Sequence, residues 1–241
     1  MSESRFEETP AEPWGAKPEP DPDRPRPPSR PVREPLFNAP WQAVAVTVLI
    51  VGGYFVQERL PADTVLRAYA FAPANLTPDR WETAITSMFL HGAWAHALMN
   101  AAFALAFSTP LARFFGPRLE GGVAFFGFYV VCGVLSNLGY AAVHPHSAAL
   151  IVGASGAVSG LMGASARLIG GHGRVGPLFS PAVLSMGGAW IAINLLIALV
   201  GGNFLPGAGG AGVAWEAHLA GFAAGALLIG LFSRVSPDRA E

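Results

Sequence analysis

Six stretches of mostly apolar residues divide this chain, and their length restricts its fold more than any other feature. They cover approximately residues 41–57, 92–112, 120–141, 150–169, 181–200 and 213–233. A helix needs about 20 largely apolar residues to cross the hydrocarbon core of a bilayer, and about 17 can suffice. Since 52% of the 241 residues are hydrophobic and only 13% are charged, we expect an all-α membrane protein with six transmembrane helices.

The first forty residues have the opposite character. They contain eight acidic residues, six Lys or Arg residues and eleven of the 21 prolines. Such a segment lacks the apolar surface needed to build a core. We predict a proline-rich, disordered cytoplasmic tail over 1–38, a six-span domain over 39–235 and a short cytoplasmic C-terminus over 236–241. The first apolar stretch begins only near Trp41, which is too far from the start for a signal peptide.

Charge and cysteine content exclude several classes of function. A net charge of −1 provides no general attraction to nucleic acid. Cys132 is the only cysteine, so the chain can form neither an internal disulfide nor a cysteine-rich zinc site. His144 and His146 have no carboxylate support in their loop, and we interpret them as exposed loop residues rather than metal ligands.

Arginines near the ends of the spans predict the orientation, because positively charged loops are translocated poorly. One side of the membrane receives Arg24, Arg26, Arg30, Arg33, Arg113, Arg118, Arg167, Arg174, Arg234 and Arg239. The other side receives Arg59, Arg67 and Arg80, all in the long first loop. Both termini are therefore predicted to be cytoplasmic.

In this topology the second, fourth and sixth spans all begin at the outer face. His96 and Asn100 are four residues apart on one face of the second span. Ser155 lies near the start of the fourth span, and His218 lies in the second turn of the sixth. Polar side chains in a bilayer are costly and turn towards each other or towards a water-filled cavity. The sequence therefore places hydroxyl, imidazole and amide groups at a similar depth.

Ser155 allows two interpretations. It lies in LIVGASGAVSG, Leu150 to Gly160, where small residues recur at a spacing of four and favour close helix packing. A serine hydroxyl also becomes nucleophilic beside a base, and a tetrahedral oxyanion needs fixed hydrogen-bond donors. His218 can provide the base, while His96, Asn100 and the backbone N–H groups near Ser155 can provide the donors.

Three motifs on the second, fourth and sixth spans resemble the rhomboid intramembrane serine proteases. They are HGAWAHALMN at His91–Asn100, GASG at Gly153–Gly156 and AHLAGFAAG at Ala217–Gly225. The resemblance covers roughly residues 41–233, and it implies a six-helix rhomboid-like bundle.

The resemblance also implies roles for individual residues. Ser155 would be the nucleophile and His218 the general base of a dyad, while His96, Asn100 and the Ser155 amide would hold the oxyanion. Structural support is assigned to His91, which would brace the first loop, and to Gly153, Gly156 and Gly221. Of these, Gly221 would allow close approach of spans four and six.

The activity implied by the resemblance is cleavage of transmembrane segments of other membrane proteins, without a metal, nucleotide or other cofactor. The expected partners are transmembrane substrates and the lipid bilayer, not nucleic acid, and the expected location is the bacterial inner (plasma) membrane. The oligomeric state is not predicted. The alternative is a non-proteolytic relative that binds or escorts client helices. A small-solute transporter would instead require inverted halves and polar groups near the midplane.

Several positions depart from the family pattern. Ser159 stands where members often have an aromatic residue that packs on the catalytic imidazole, which leaves the orientation of His218 less supported. Ala112 replaces a glutamate, Ser108 replaces a glycine, and the Trp–Arg pair of the first loop is reversed to Arg80–Trp81.

No third member of a triad is predicted. Glu216 lies two residues before His218, so it points to a different helix face, and we expect it to reach the outer interface. Four tryptophans near predicted span ends are interpreted as interfacial anchors: Trp81, Trp94, Trp190 and Trp215. The glycine-rich stretch from Gly201 to Trp215 is interpreted as a mobile cap over the site.

The topology can be tested by cysteine labelling in a Cys132→Ala background. We expect a cysteine introduced near Pro145 or Gly209 to react with an impermeant thiol reagent added from outside. A cysteine near Gly171 is expected to react only after the membrane is permeabilised. The reverse pattern would contradict both the orientation and the shared depth of the polar side chains.

Overall fold

The computed structural model describes residues 38–200 and 213–233. In these residues the chain forms eight α-helices: α1 (Trp41–Gln57), α2 (Ala62–Tyr69), α3 (Thr83–Thr86), α4 (Trp94–Phe115), α5 (Leu119–Val143), α6 (Ser155–Gly170), α7 (Pro181–Val200) and α8 (Trp215–Phe232). Two short 3₁₀ helices, Pro73–Asn75 and Ser87–Phe89, lie between α1 and α4. The predicted all-α class is confirmed. Residues 1–37 of the predicted tail, residues 201–212 of the predicted cap and the C-terminus at 236–241 lie outside the described residues.

Four of these helices are long and apolar enough to cross a bilayer, namely α4, α5, α7 and α8. The chain is accordingly an integral membrane protein. Helix α1 is apolar but has 17 residues, and α6 has 16. At 1.5 Å per residue α6 is about 24 Å long, which is shorter than the hydrocarbon core of about 30 Å. The count of six spans therefore stays a prediction.

The predicted start of the fourth span is wrong. Residues 150–154 are not helical, and Ile151 pairs with Phe71 through main-chain hydrogen bonds of 2.7 and 3.1 Å in an isolated antiparallel bridge. A short apolar run has the same hydropathy in a helix and in a buried extended segment. Hydropathy alone therefore extended the helix backwards, whereas the structure makes Ser155 the first residue of α6.

Helix α6 lies at the centre of the bundle. Every residue from 156 to 166 is buried, and the helix packs against α4, α5, α7 and α8. A helix enclosed by other helices does not have to match the thickness or the polarity of the lipid. This environment explains why α6 can be short and can contain three serines.

Glycines bring the backbones of α6 and α8 into direct contact. A Cβ atom on Gly225 would collide with the carbonyl oxygen of Gly160, and one on Gly221 would collide with the carbonyl oxygen of Gly156. Small residues permit this approach in membrane proteins, where van der Waals packing and weak Cα–H···O contacts favour helix association. Because the contacts repeat every four residues on both helices, they fix the register of α8 on α6.

The substitution Gly225→Ala tests this register. The added methyl group meets the Gly160 carbonyl, and overpacking of this kind destabilises a folded protein by about 1–3 kcal/mol. We expect a lower melting temperature, measured by circular dichroism in detergent micelles. The control is Gly127→Ala in α5, where a Cβ atom would have no neighbour within 4 Å. Equal melting temperatures for the two variants would contradict the close contact.

Candidate active site

A glycine turn places Ser155 at the start of α6. Gly153 has φ +122°, which side chains other than glycine rarely adopt, and its N–H donates to the carbonyl of Ser87 at 3.0 Å. A Cβ atom here would also lie 2.8 Å from the ring of His96. The turn leaves the first backbone N–H groups of α6 without partners inside the helix, and their partial positive charge favours an anion.

Ser155 and His218 meet across the contact between α6 and α8. The Ser155 Oγ lies 2.8 Å from Nε2 of His218, which is in the first turn of α8. Both residues are partly buried. With its other nitrogen protonated, a neutral imidazole can accept the serine proton at Nε2, which is the arrangement that activates a hydroxyl for attack on a carbonyl.

A third side chain completes this group, and the sequence did not predict it. Asn194 of α7 is fully buried, and its Oδ1 lies 2.7 Å from Nδ1 of His218. Its Nδ2 donates to the carbonyl of Trp190 at 2.8 Å. The sequence did contain a signal, since Asn194 is an amide among the apolar residues IAINLLIAL. Such a group in a membrane helix requires a polar partner.

Trp190 does not occupy the end of its helix, so its interpretation as an interfacial anchor is wrong. It is the tenth residue of α7, one helical turn before Asn194. Its ring centroid lies 5.8 Å from that of His218 at an interplanar angle of 38°. The ring also contacts Phe103 of α4, with centroids 6.2 Å apart. It therefore fills the space between α4, α7 and the imidazole.

The two side chains predicted to hold an oxyanion have different surroundings. The His96 ring packs against Gly153, two residues before Ser155. Asn100 is buried, but its Nδ2 donates to the carbonyl of His96 at 3.0 Å within the same helix. The structure thus brings His96 to the turn, while the amide of Asn100 is engaged within α4.

His91 is buried and links three parts of the chain. Its main-chain N–H donates to Oε1 of Gln57 at 2.9 Å, and Nε2 of Gln57 donates to the His91 carbonyl at 2.8 Å. Its ring lies 5.1 Å from that of His96 between centroids, and its Nε2 accepts a long contact of 3.5 Å from the N–H of Ala154. Gln57, the last residue of α1, was not predicted as part of this arrangement.

The charge state of His91 follows from its burial. Removal from water, with a smaller contribution from the neighbouring His96, lowers the pKa of His91 to about 3. The ring is therefore neutral at physiological pH, and it supports the turn before Ser155 through packing and hydrogen bonding rather than through charge.

Ser159, Glu216 and the two loop histidines lie around the site without contributing to the contact between Ser155 and His218. Ser159 is buried, and its Oγ donates to the carbonyl of Ser155 at 2.7 Å. Glu216 is directed away from the serine, with its Oε1 2.8 Å from Nε2 of His144. His144 is half-buried rather than fully exposed, with 39% of its side chain accessible in this pair, whereas His146 is exposed as predicted. The described residues contain no group of three His, Cys, Asp or Glu that could hold a metal.

Most of the residues around Ser155 and His218 lie within a match to a known family, whereas Gln57 lies before it. The family model described as Rhomboid domain matches residues 78–235, a range that includes both Ser155 and His218. A comparison with curated proteins found no match.

Proposed function

Because this chain belongs to the rhomboid family, we propose that it is an intramembrane serine endopeptidase. The family usually consists of intramembrane serine proteases, and it also includes inactive relatives. The observation that carries the proposal is the distance of 2.8 Å between Ser155 Oγ and His218 Nε2. In the proposed enzyme Ser155 is the nucleophile and His218 is the general base.

The reaction follows from the positions of these two groups. The Ser155 oxygen attacks the carbonyl carbon of the scissile peptide bond, and its proton passes to Nε2 of His218. The tetrahedral intermediate collapses when Nε2 returns that proton to the leaving amine. A water molecule then attacks the acyl group on Ser155, with His218 again as the base, and releases the second product.

Charge develops on the carbonyl oxygen during both attacks, so fixed donors near Ser155 accelerate the reaction. The N–H groups at the start of α6 support this role, because they have no partners inside the helix and their partial positive charge favours an anion. His96 is next to the turn and can approach the same oxygen. Asn100 donates one of its two amide hydrogens to the carbonyl of His96, and the second hydrogen can serve as a further donor.

The proposed substrates are transmembrane segments of other membrane proteins, which bind in the bilayer. A peptide bond in a helix has its carbonyl hydrogen-bonded and shielded, so part of the substrate must unwind near Ser155 before attack. We place the enzyme in the bacterial inner (plasma) membrane with both termini in the cytoplasm, in keeping with the distribution of arginines. The site then opens towards the outer face.

The alternative is a non-proteolytic relative that binds or escorts client helices. The serine in place of an aromatic residue at position 159 favours this alternative. The complete hydrogen-bonded group around His218 favours the protease, because binding a helix requires no base directed at a serine.

The central test of the protease compares Ser155→Ala, His218→Ala and the double variant. Residues that act as one unit have strongly non-additive effects. We therefore expect each single substitution to reduce cleavage of a model transmembrane substrate by roughly 10⁴-fold or more, with little further loss in the double variant. Cleavage is measured in proteoliposomes, and the product is identified by mass spectrometry.

Ser159→Ala is the matched control, since it removes a hydroxyl from the same helix that bonds only within α6. This variant and Ser155→Ala should both keep the melting temperature of the native protein. Cleavage of the native bond by Ser155→Ala would contradict the proposal, and so would folded native protein without cleavage of any transmembrane substrate that it binds.

A further inference from the structure

We propose that Asn194 is a positioning residue that selects the tautomer and the orientation of His218. The kinetic consequences of this role rest on the proposed protease function, but the hydrogen bonding does not. The side chain of Asn194 hydrogen-bonds to the carbonyl of Trp190 and to His218. It acts through the imidazole alone.

The orientation of the Asn194 amide is determined by its second hydrogen bond. The carbonyl of Trp190 is only an acceptor, so the group that faces it at 2.8 Å must be the NH₂ of Asn194. The amide oxygen consequently faces His218. Rotation of the amide by 180° would oppose two oxygen lone pairs and leave the Trp190 carbonyl without this donor.

The amide oxygen in turn assigns the protons of the imidazole. Because Oδ1 of Asn194 can only accept, Nδ1 of His218 must carry the proton in the hydrogen bond of 2.7 Å. Nε2 then has a free lone pair directed at the Ser155 hydroxyl, 2.8 Å away. The opposite tautomer would present an N–H to the serine and could not accept its proton.

The exposure of helix α7 makes the buried contact between Asn194 and His218 unusual. This helix is the least buried of the four candidate membrane helices, and between residues 181 and 199 only Val183 and Asn194 are buried. The one buried amide on a largely exposed helix is thus directed at the imidazole. Trp190, four residues earlier on the same helix, packs beside that ring. Helix α7 therefore supplies both a hydrogen-bond partner and an aromatic neighbour for His218.

An amide differs from a carboxylate in this position. Both accept a hydrogen bond from Nδ1–H, but only a carboxylate adds a full negative charge that stabilises the imidazolium. Asn194 therefore fixes the ring without making it much more basic. Asn194→Asp therefore tests the contact: a carboxylate that accepts the same hydrogen bond shifts the pH dependence, whereas a residue that does not face the imidazole would leave it nearly unchanged.

The first experiment measures the tautomer directly in the full-length protein in detergent. The ¹⁵N shifts of labelled histidine are recorded at neutral pH, and His218 is assigned from the signal lost in His218→Gln. We expect a protonated Nδ1 in the native protein and a substantial Nε2–H population in Asn194→Leu. The control Asn137→Leu removes another buried asparagine, which bonds to Ala84 and Ser87, and should leave the His218 signal unchanged.

This measurement is independent of proteolysis, so it separates the inference from the proposed function. A protonated Nε2 in the native protein, or an unchanged tautomer in folded Asn194→Leu, would overturn the inference even if the chain is a protease. The expected shifts in a protein that cleaves nothing would support the inference and contradict the proposed function.

The second experiment compares kcat and KM of Asn194→Leu and Asn194→Asp between pH 5 and 9. We expect kcat of Asn194→Leu to fall by about 10- to 10³-fold, with KM within about threefold of the native value. In the Ser-His-Asp triad of soluble proteases, the wrong histidine tautomer lowers kcat by about 10⁴-fold. Asn194→Asp should retain more activity than Asn194→Leu. Its acidic limb should move to higher pH, because the carboxylate stabilises protonated His218.

Within residues 38–200 and 213–233, His96 is the titratable side chain that acts electrostatically on His218. Both Asn194 variants keep His96, so a difference between the variants reports on position 194. If Asn194→Leu does not fold, the pH–rate profile of Asn194→Asp provides the test. An acidic limb of this profile that coincides with that of the native protein would overturn the inference. Native kcat in folded Asn194→Leu would also overturn it.

Discussion

The backbone contact between α6 and α8 is the interaction on which the candidate site depends. The carbonyls of Gly156 and Gly160 lie against Gly221 and Gly225, and the equal spacing fixes one register between the helices. Ser155 precedes the first of these contacts by one residue on α6, and His218 precedes it by about one turn on α8. The distance between hydroxyl and imidazole is consequently determined by glycines. A larger residue at any of these positions would separate the two side chains before it changed their chemistry.

Polar pairs stabilise the same end of the bundle, and each joins elements that are distant in sequence. Gln57 ties the end of α1 to the main chain of His91. His144 at the end of α5 hydrogen-bonds to Glu216 in the first turn of α8. Asn194 of α7 hydrogen-bonds to His218, which is also in α8. In a bilayer a polar side chain without a partner is unfavourable, so these pairs restrict where the helix ends can lie. The opposite end of the bundle combines apolar packing around α6 with hydrogen bonds from Ser165 to the carbonyl of Phe107 and from Arg167 to the carbonyl of Ala226.

The sequence was sufficient to predict what depends on composition along the chain. The bounds of α1 and α7 match the predicted spans, because long apolar runs have few alternatives to a membrane helix. Ser155 and His218 became candidates because polar groups are rare in such runs, and the structure brings them within hydrogen-bond distance. The predictions that failed concern features that depend on contacts between distant segments. The bridge of Ile151 to Phe71 shortened α6, and neither Gln57 nor Asn194 has a partner that spacing could reveal. Trp190 was misassigned because tryptophan is commonest at membrane interfaces, whereas here it fills a gap beside the imidazole.

Covalent labelling of the native protein by a fluorophosphonate tests directly whether Ser155 is a nucleophile activated by His218. This reagent phosphonylates a serine oxygen with loss of fluoride, and it requires the same activation of the hydroxyl as peptide cleavage, but no particular substrate. Digestion and mass spectrometry locate the adduct. We expect one adduct, on Ser155, that disappears in His218→Ala although this variant remains folded. An unlabelled Ser155 in folded native protein, or equal labelling of Ser155 in His218→Ala, would contradict a nucleophile activated by that imidazole.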